Sequence, residues 1–409
     1  MKKPSPFIFS CMWCLIFPGG LAIAQNEVPL TPAEFVSQAV NSDEPAKAYS
    51  GSAKERRIRL AERAASRYDF EFDLSGLPEY EPRQMVEGKL RVWGNNYVGD
   101  SGLAQQWQDA FTKFHPGIEF EWVLPTAAVA ASGLFMGQAD VSINHELTFY
   151  DNLVHLRILG YEPTGFSVVT GSLDISGWQN SLTIIVHKDN PLEKISIEQL
   201  DGVFGSQRAG GWAGTNWVPD YARGPETNIR TWGQLGLDDD WINRPINTYG
   251  YSLRYATSLE FSNKVLHASD KWNENLLAFG NYISPEGVRS LQAEQIMEHL
   301  QNDPQGMAYI RWQSRFEGQV KVLALSESQQ GPYYEFNVEN LQARKYPLWG
   351  DQSFWVSVKP GNRIEPNTAE FIRFVLSREG QQLVMEDGKY LPLSANASKG
   401  ELARLANLE

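Results

Sequence analysis

Four short stretches of this chain carry residues suited to gripping a small anion without covalent chemistry: Asn95 to Gly102, Pro125-Thr126-Ala127, Asn144 to Glu146, and Tyr251 to Thr257. Each joins a β-favouring run to a helical pattern, and such loops turn free backbone N–H groups and hydroxyls towards a ligand. Thr126 is the sharpest candidate. Between Pro125 and an Ala-rich helical run it stands at an N-cap, where its hydroxyl can face a ligand, cap its own helix, or do both. The N–H groups of Ala127 and Ala128 would be free beside it. Asn96 and Ser101 add an amide and a hydroxyl, whereas Asp100 in the same loop is read as the cap of the helix starting near Gly102, because a carboxylate aimed at an anion weakens binding. Covalent chemistry finds no support. Gly250-Tyr251-Ser252 is no nucleophile elbow, since Arg254 stands where a glycine is needed. There is no His-Glu-x-x-His, no P-loop and no Gly-rich dinucleotide turn, and the six histidines lack metal-ligand spacing. The reading is a binding protein and not an enzyme, with no cofactor and no metal; His115, at a helix end beside Pro116, is structural.

The elements that must hold these loops alternate from Lys89 onward. LRVWG, IEFEWVLP and ADVSIN read as strands, with helices over GLAQQWQDAFTKF, TAAVAASGLFMGQ and TFYDNLVHLRILG between and after them. Such alternation implies an α/β sheet with parallel neighbours. Ser181 to Val186 is a further strand, Asn190-Pro191 breaks it, and Ser196 with Gln199 forms a capping box that starts a helix near Ile197. A Gly- and Trp-rich loop follows from Gly205 to Gly224. Strands are expected at Ile246 to Tyr249, MAYIRW and VKVLAL, and helices at Tyr255 to Leu266 and Leu291 to Asn302.

Residues 1–24 read as a cleaved export signal: Lys2 and Lys3, an apolar core broken by Pro18-Gly19-Gly20, and the small-residue site Ala22-Ile23-Ala24. Both cysteines, Cys11 and Cys14, lie inside it, so the expected mature chain has no thiol for the oxidising compartment it enters. Without Lys2 and Lys3 the 36 basic residues become 34 against 49 acidic ones, a charge of −15, which repels nucleic acid. The remaining length of about 385 residues exceeds what one core fills, so two lobes are expected. Residues 25–88 are expected to be a helical appendage, with helices at Thr31 to Val40 and Ala53 to Tyr68.

Three stretches resemble the phosphate-binding proteins of bacterial ABC importers. HKDNPLEKISIEQLDGVFG from His187 is similar to the run with which that family enters its second lobe. TWGQLGL at Thr231 to Leu237 adds to the match, and YPLWGDQSFWVSVKPG followed by EFIRFVLSREGQQLVMEDGKYLPL is similar to the segment that returns to the first. The resemblance spans roughly residues 88 to 395. It implies an α/β, two-lobed, type-II periplasmic-binding-protein fold with two strands crossing between lobes, residues 89–182 and 339–409 forming lobe I and residues 183–338 lobe II. It also implies a periplasmic monomer that closes on a small ligand, phosphate or another oxyanion, and meets an ABC permease or a membrane sensor.

The same resemblance assigns site residues and shows where the pattern breaks. An Asp after the third strand takes the proton of monobasic phosphate in that family, and the corresponding place here falls at His145 or Glu146. Its second lobe carries an Arg followed by Ser-Gly-Thr. Here Tyr251 stands at the Arg place, Tyr255 and Ala256 replace Ser-Gly, Thr257 alone matches, and Arg254 sits three residues late. The broken motif leaves two alternatives open: a signalling or structural relative that has lost phosphate binding, or a different solute stacked on rings. Tyr97, Trp212, Trp217, Tyr221, Tyr249, Tyr251 and Tyr255 lie in or near these loops and could serve as platforms or as packing.

Overall fold

A computed structural model describes residues 67–68, 70–173, 178, 181–285 and 288–409. The export signal and the helix expected at Thr31 to Val40 lie outside the described residues, as does the helix expected at Ala53 to Tyr68 except for Arg67 and Tyr68, which are not helical. Ten strands build two five-stranded sheets: β1 (Glu87–Gly94), β2 (Gly117–Val123), β3 (Val141–Asn144), β4 (Thr164–Thr170), β5 (Leu182–His187), β6 (Asn247–Tyr251), β7 (Leu277–Phe279), β8 (Gly306–Arg311), β9 (Val320–Val322) and β10 (Asp351–Val356). The first sheet runs β2-β1-β3-β10-β4 and the second β7-β6-β8-β5-β9.

The two sheets repeat one plan. In each, the first three strands are parallel, and the strand that has just arrived from the other sheet is inserted antiparallel beside them. β10 opposes β3 and β4, and β5 opposes β8 and β9. This is the two-lobed type-II arrangement. The crossing segments hydrogen-bond to one another where they pass: Leu182 N–H donates to Leu348 O at 3.1 Å, Gly350 N–H donates to Ser181 Oγ at 3.2 Å, and Gly171 N–H donates to Gly350 O.

Helices α1 (Tyr97–Ser101), α2 (Leu103–Phe114), α3 (Ala130–Phe135) and α4 (Phe149–Leu159) belong to the first three crossovers of the first sheet, α5 (Ile197–Phe204), α6 (Ala256–Val265) and α7 (Gln292–Gln301) to the second, and α8 (Pro366–Leu376), α9 (Arg378–Asp387) and α10 (Ala395–Ala406) close the chain. α2 buries Leu103, Ala104, Trp107 and Phe111 on one stripe, and Trp107 meets Phe354 of β10 edge-on at 5.8 Å. In the second lobe Phe261 of α6 stacks on Tyr309 of β8 at 4.2 Å. Residues 70–86 lie against the first lobe. Tyr80 O–H donates to Glu370 at 2.9 Å and sits 2.6 Å from His115 Nε2, so His115 is spent on packing.

Local signals give three results. The capping box at Ser196 and Gln199 is present in both directions, at 3.1 and 3.0 Å. Asp100 does not cap α2: it lies within α1 and accepts from Asn96, while Gly102, at φ 91°, provides the break that only a glycine takes cheaply. VKVLAL is not one strand. Val320–Val322 pairs with β5, and Ala324–Ser326 pairs instead with Lys194–Ser196.

Candidate oxyanion seat between the lobes

The C-terminal ends of β3, β6 and β8 meet between the lobes, the position where open α/β sheets present their loops to ligands. β3 ends at Asn144, whose Oδ1 accepts the His145 N–H at 2.8 Å and fixes that turn. The His145 ring then reaches across to the second lobe, where Nε2 lies 2.9 Å from Oε2 of Glu260 on α6. On the same oxygen, Arg311 at the end of β8 places Nη2 at 2.5 Å, and Arg311 Nε donates to Thr257 Oγ1 at 3.2 Å. Tyr251 O–H accepts the Arg311 backbone N–H at 3.0 Å, and Ser258 Oγ donates to the Tyr251 and Ser252 carbonyls at 3.0 Å, which sets the entry to α6.

Burial makes these charges count. The Glu260 side chain is 1% exposed and that of Arg311 17%. Burial alone would push the Glu260 carboxyl up, but Arg311 and His145 outweigh it and hold the group down to about 2. Burial would lower the His145 imidazole, yet the charge and hydrogen bond of Glu260 prevail and raise it. The tautomer agrees. His145 Nδ1 faces the Asp351 carbonyl and so carries a proton, and a carboxylate at Nε2 calls for a second one. Burial also raises Tyr251, which stays a neutral phenol.

Further contacts join the lobes around this cluster. Asn263 Nδ2 donates to Glu146 Oε2 at 3.1 Å, and Lys264 Nζ donates to the Trp349 carbonyl in the crossing segment at 2.7 Å. Trp212, from the Gly- and Trp-rich loop, packs on Phe149 at 4.7 Å, and Thr215 N–H donates to Glu162 at 3.0 Å. Beside His145, a cavity of about 270 Å³ is lined by Glu146, Lys264, Trp349, Asp351 and Ser353. Among the described residues, no group of three or more His, Cys, Asp or Glu is placed to hold a metal, and no helix is long and apolar enough to cross a membrane.

Of the candidates read from the sequence, His145, Glu146, Tyr251 and Thr257 come together here. Asn96, Ser101, Thr126, Ala127 and Arg254 are not among them. Asn96 donates to Asp100, Ser101 Oγ accepts from Leu103 N–H at 3.1 Å, and Arg254 is exposed in the turn before α6. Thr126 occupies an N-cap, but of a short 3-10 turn over Ala127–Val129, and its side chain makes no capping bond. Sequence reasoning missed Arg311, Glu260 and Gly350. The available signals were a cation ending the apolar run MAYIR at the carboxyl end of a strand, and a carboxylate in a helix whose Ser258 and Phe261 are buried.

No family model matches the chain. In sequence it is similar to the phosphate-binding protein PstS of Pseudomonas aeruginosa, 24% identical over 332 residues that make up 80% of this chain and 90% of that protein. Solved structures similar to it include PstS of Borrelia burgdorferi, at 15% identity and TM-score 0.46 over 75% of this chain and 100% of that one. An ABC-type phosphate transport receptor of Vibrio cholerae is similar at 16% identity and TM-score 0.43, over 74% and 99%. The two sheets, joined by strands that cross between them, define a two-lobed α/β fold. Over 80% of its length the chain is similar in sequence to a protein named for phosphate binding.

Proposed function

We propose that this chain is an exported, periplasmic solute-binding protein that closes two lobes on a small oxyanion, monobasic phosphate first among the candidates, and presents it to an ABC permease or a membrane sensor. The observation that carries the reading is the convergence of Arg311 and His145, one from each lobe, on a single oxygen of Glu260, with Thr257 Oγ1 accepting from Arg311 Nε beside them. A guanidinium fork, a hydroxyl and an imidazolium are also the donors that grip a phosphoryl oxygen. Arg311 and protonated His145 against Glu260 leave one net positive charge, which suits a monoanion. The similarity to a protein named for phosphate binding supports the same ligand.

The test is thermal shift of the mature chain against phosphate, sulfate, tungstate, sugars and amino acids. A ligand at about 100 times its Kd adds about 2.7 kcal/mol. Thr257→Val weakens the oxyanion response, and Thr126→Ala tests whether that exposed loop joins the site on closure. If no oxyanion at millimolar concentration moves the transition, the reading fails. A signalling or structural protein without phosphate binding is the second reading, favoured by Tyr251 at the place of the family Arg; it expects no oxyanion response.

A further inference from the structure

The donors of the cleft are already engaged, and by the protein itself. One oxygen of Glu260 takes Arg311 from its own lobe and His145 from the other, while its second oxygen, Oε1, is buried with no hydrogen-bond partner. The carboxylate is kept ionised by its two cationic neighbours and lies on a helix that also supplies Thr257. The crossing segment leaves space for it, since a Cβ on Gly350 would stand 3.3 Å from Oε1 and 3.0 Å from His145 Cε1. A free oxyanion entering this place would meet a like charge a bond-length or two from the donors it needs.

We propose that Glu260 is a resident anion: it fills the oxyanion seat, bridges His145 to Arg311 and so holds the lobes together without ligand, and an external oxyanion gains those donors only by displacing it. The proposal rests on the reading of the cleft as an oxyanion seat and names the residue that limits its affinity. Glu260 thus acts as a specificity-determining residue, setting a threshold against weakly held anions.

The test is isothermal titration of inorganic phosphate and sulfate into the full mature chain and its Glu260→Gln variant, with small-angle scattering of both in the absence of anion. Glutamine keeps the shape, and its carbonyl oxygen in the place of Oε2 still accepts from Arg311 and His145, but it carries no charge. The expected result is a phosphate Kd at least about tenfold lower in the variant, a difference of about 1.4 kcal/mol, and an anion-free radius of gyration larger than that of the parent and reduced by phosphate. Glu260→Ala, which leaves no amide, must show the same gain and serves if the glutamine variant does not fold. Equal or weaker binding in both variants, with the parent binding phosphate well, overturns the resident anion and leaves the oxyanion reading intact. If parent and variants alike bind no oxyanion, both fall together.

Discussion

Replacing Arg311 with methionine removes the guanidinium and leaves the Glu260 carboxylate buried. Glu260 is held from its ordinary 4.5 down to about 2. At about 1.36 kcal/mol per pH unit this depression amounts to about 3 kcal/mol of stability, to which Arg311, His145 and Lys264 all contribute against the cost of burial. Breaking one side of a buried pair elsewhere costs about 3–5 kcal/mol, so the two estimates agree. With a urea m-value of about 3 kcal/mol per M, Arg311→Met lowers the unfolding midpoint by about 1 M at neutral pH. The sign with pH follows from the depressed carboxyl: its contribution is complete above pH 4.5 and is lost as pH falls through about 2, so parent and variant converge in acid. The double variant Glu260→Leu with Arg311→Met removes both charges and recovers most of the loss. Urea titrations of the three proteins at several pH values decide it. A cost below about 0.5 kcal/mol for Arg311→Met at neutral pH refutes the buried pair, since that is the scale of an exposed bridge.

Gly350→Ala places a methyl 3.0 Å from His145 Cε1 and 3.3 Å from Glu260 Oε1, and the resulting overpacking costs about 1–3 kcal/mol, read as a lower urea midpoint. His145, raised above its ordinary 6.5 by Glu260, stabilises fully below that pH and loses its contribution as pH rises through the raised value. The stability advantage of the parent over His145→Gln therefore shrinks on the alkaline side, and a pH-independent difference counts against the imidazolium. Trp212→Ala removes a ring contact worth about 0.5–1.5 kcal/mol between the lobes. Scattering should record a larger anion-free radius of gyration, and an unchanged radius shows that the clasp does not hold the lobes.

What the sequence revealed was mostly local. The capping box at Ser196 is legible because donor and acceptor lie three residues apart, and the strands up to Asn144 because their alternation with helices is carried by short periods. The crossing plan was legible through the wording around His187 and Tyr346, not through physics. The seat itself was not. Glu260 and Arg311 are 51 residues apart, and His145 reaches Glu260 from the other lobe, so their meeting depends on tertiary placement. Thr126 was placed rightly at a cap, but the helix opens with a 3-10 turn that leaves its hydroxyl out of the capping bond. Several rings weighed as platforms are used in packing: Trp212 on Phe149 and Trp217, Tyr221 stacked on His267 at 4.2 Å, and Tyr249 bonded to Asp303 at 2.7 Å.

Tyr251 and the guanidinium at Arg311 are structurally linked. Tyr251, 3% exposed, ends β6 where the resemblance implies an arginine, and its hydroxyl accepts the backbone N–H of Arg311 on the neighbouring strand β8. The tyrosine therefore fixes the strand end that supplies the cation. Because Arg311 comes from β8, its fork meets α6 from the side: Nε takes Thr257 and Nη2 takes Glu260, one turn further along the helix. A buried arginine needs a counter-charge, and a helix that bears Thr257 at one turn can offer a carboxylate at the next. The guanidinium of Arg311 and the internal carboxylate are thus linked requirements of the same packing. A seat built this way keeps its donors but sets its own carboxylate against any ligand that seeks them.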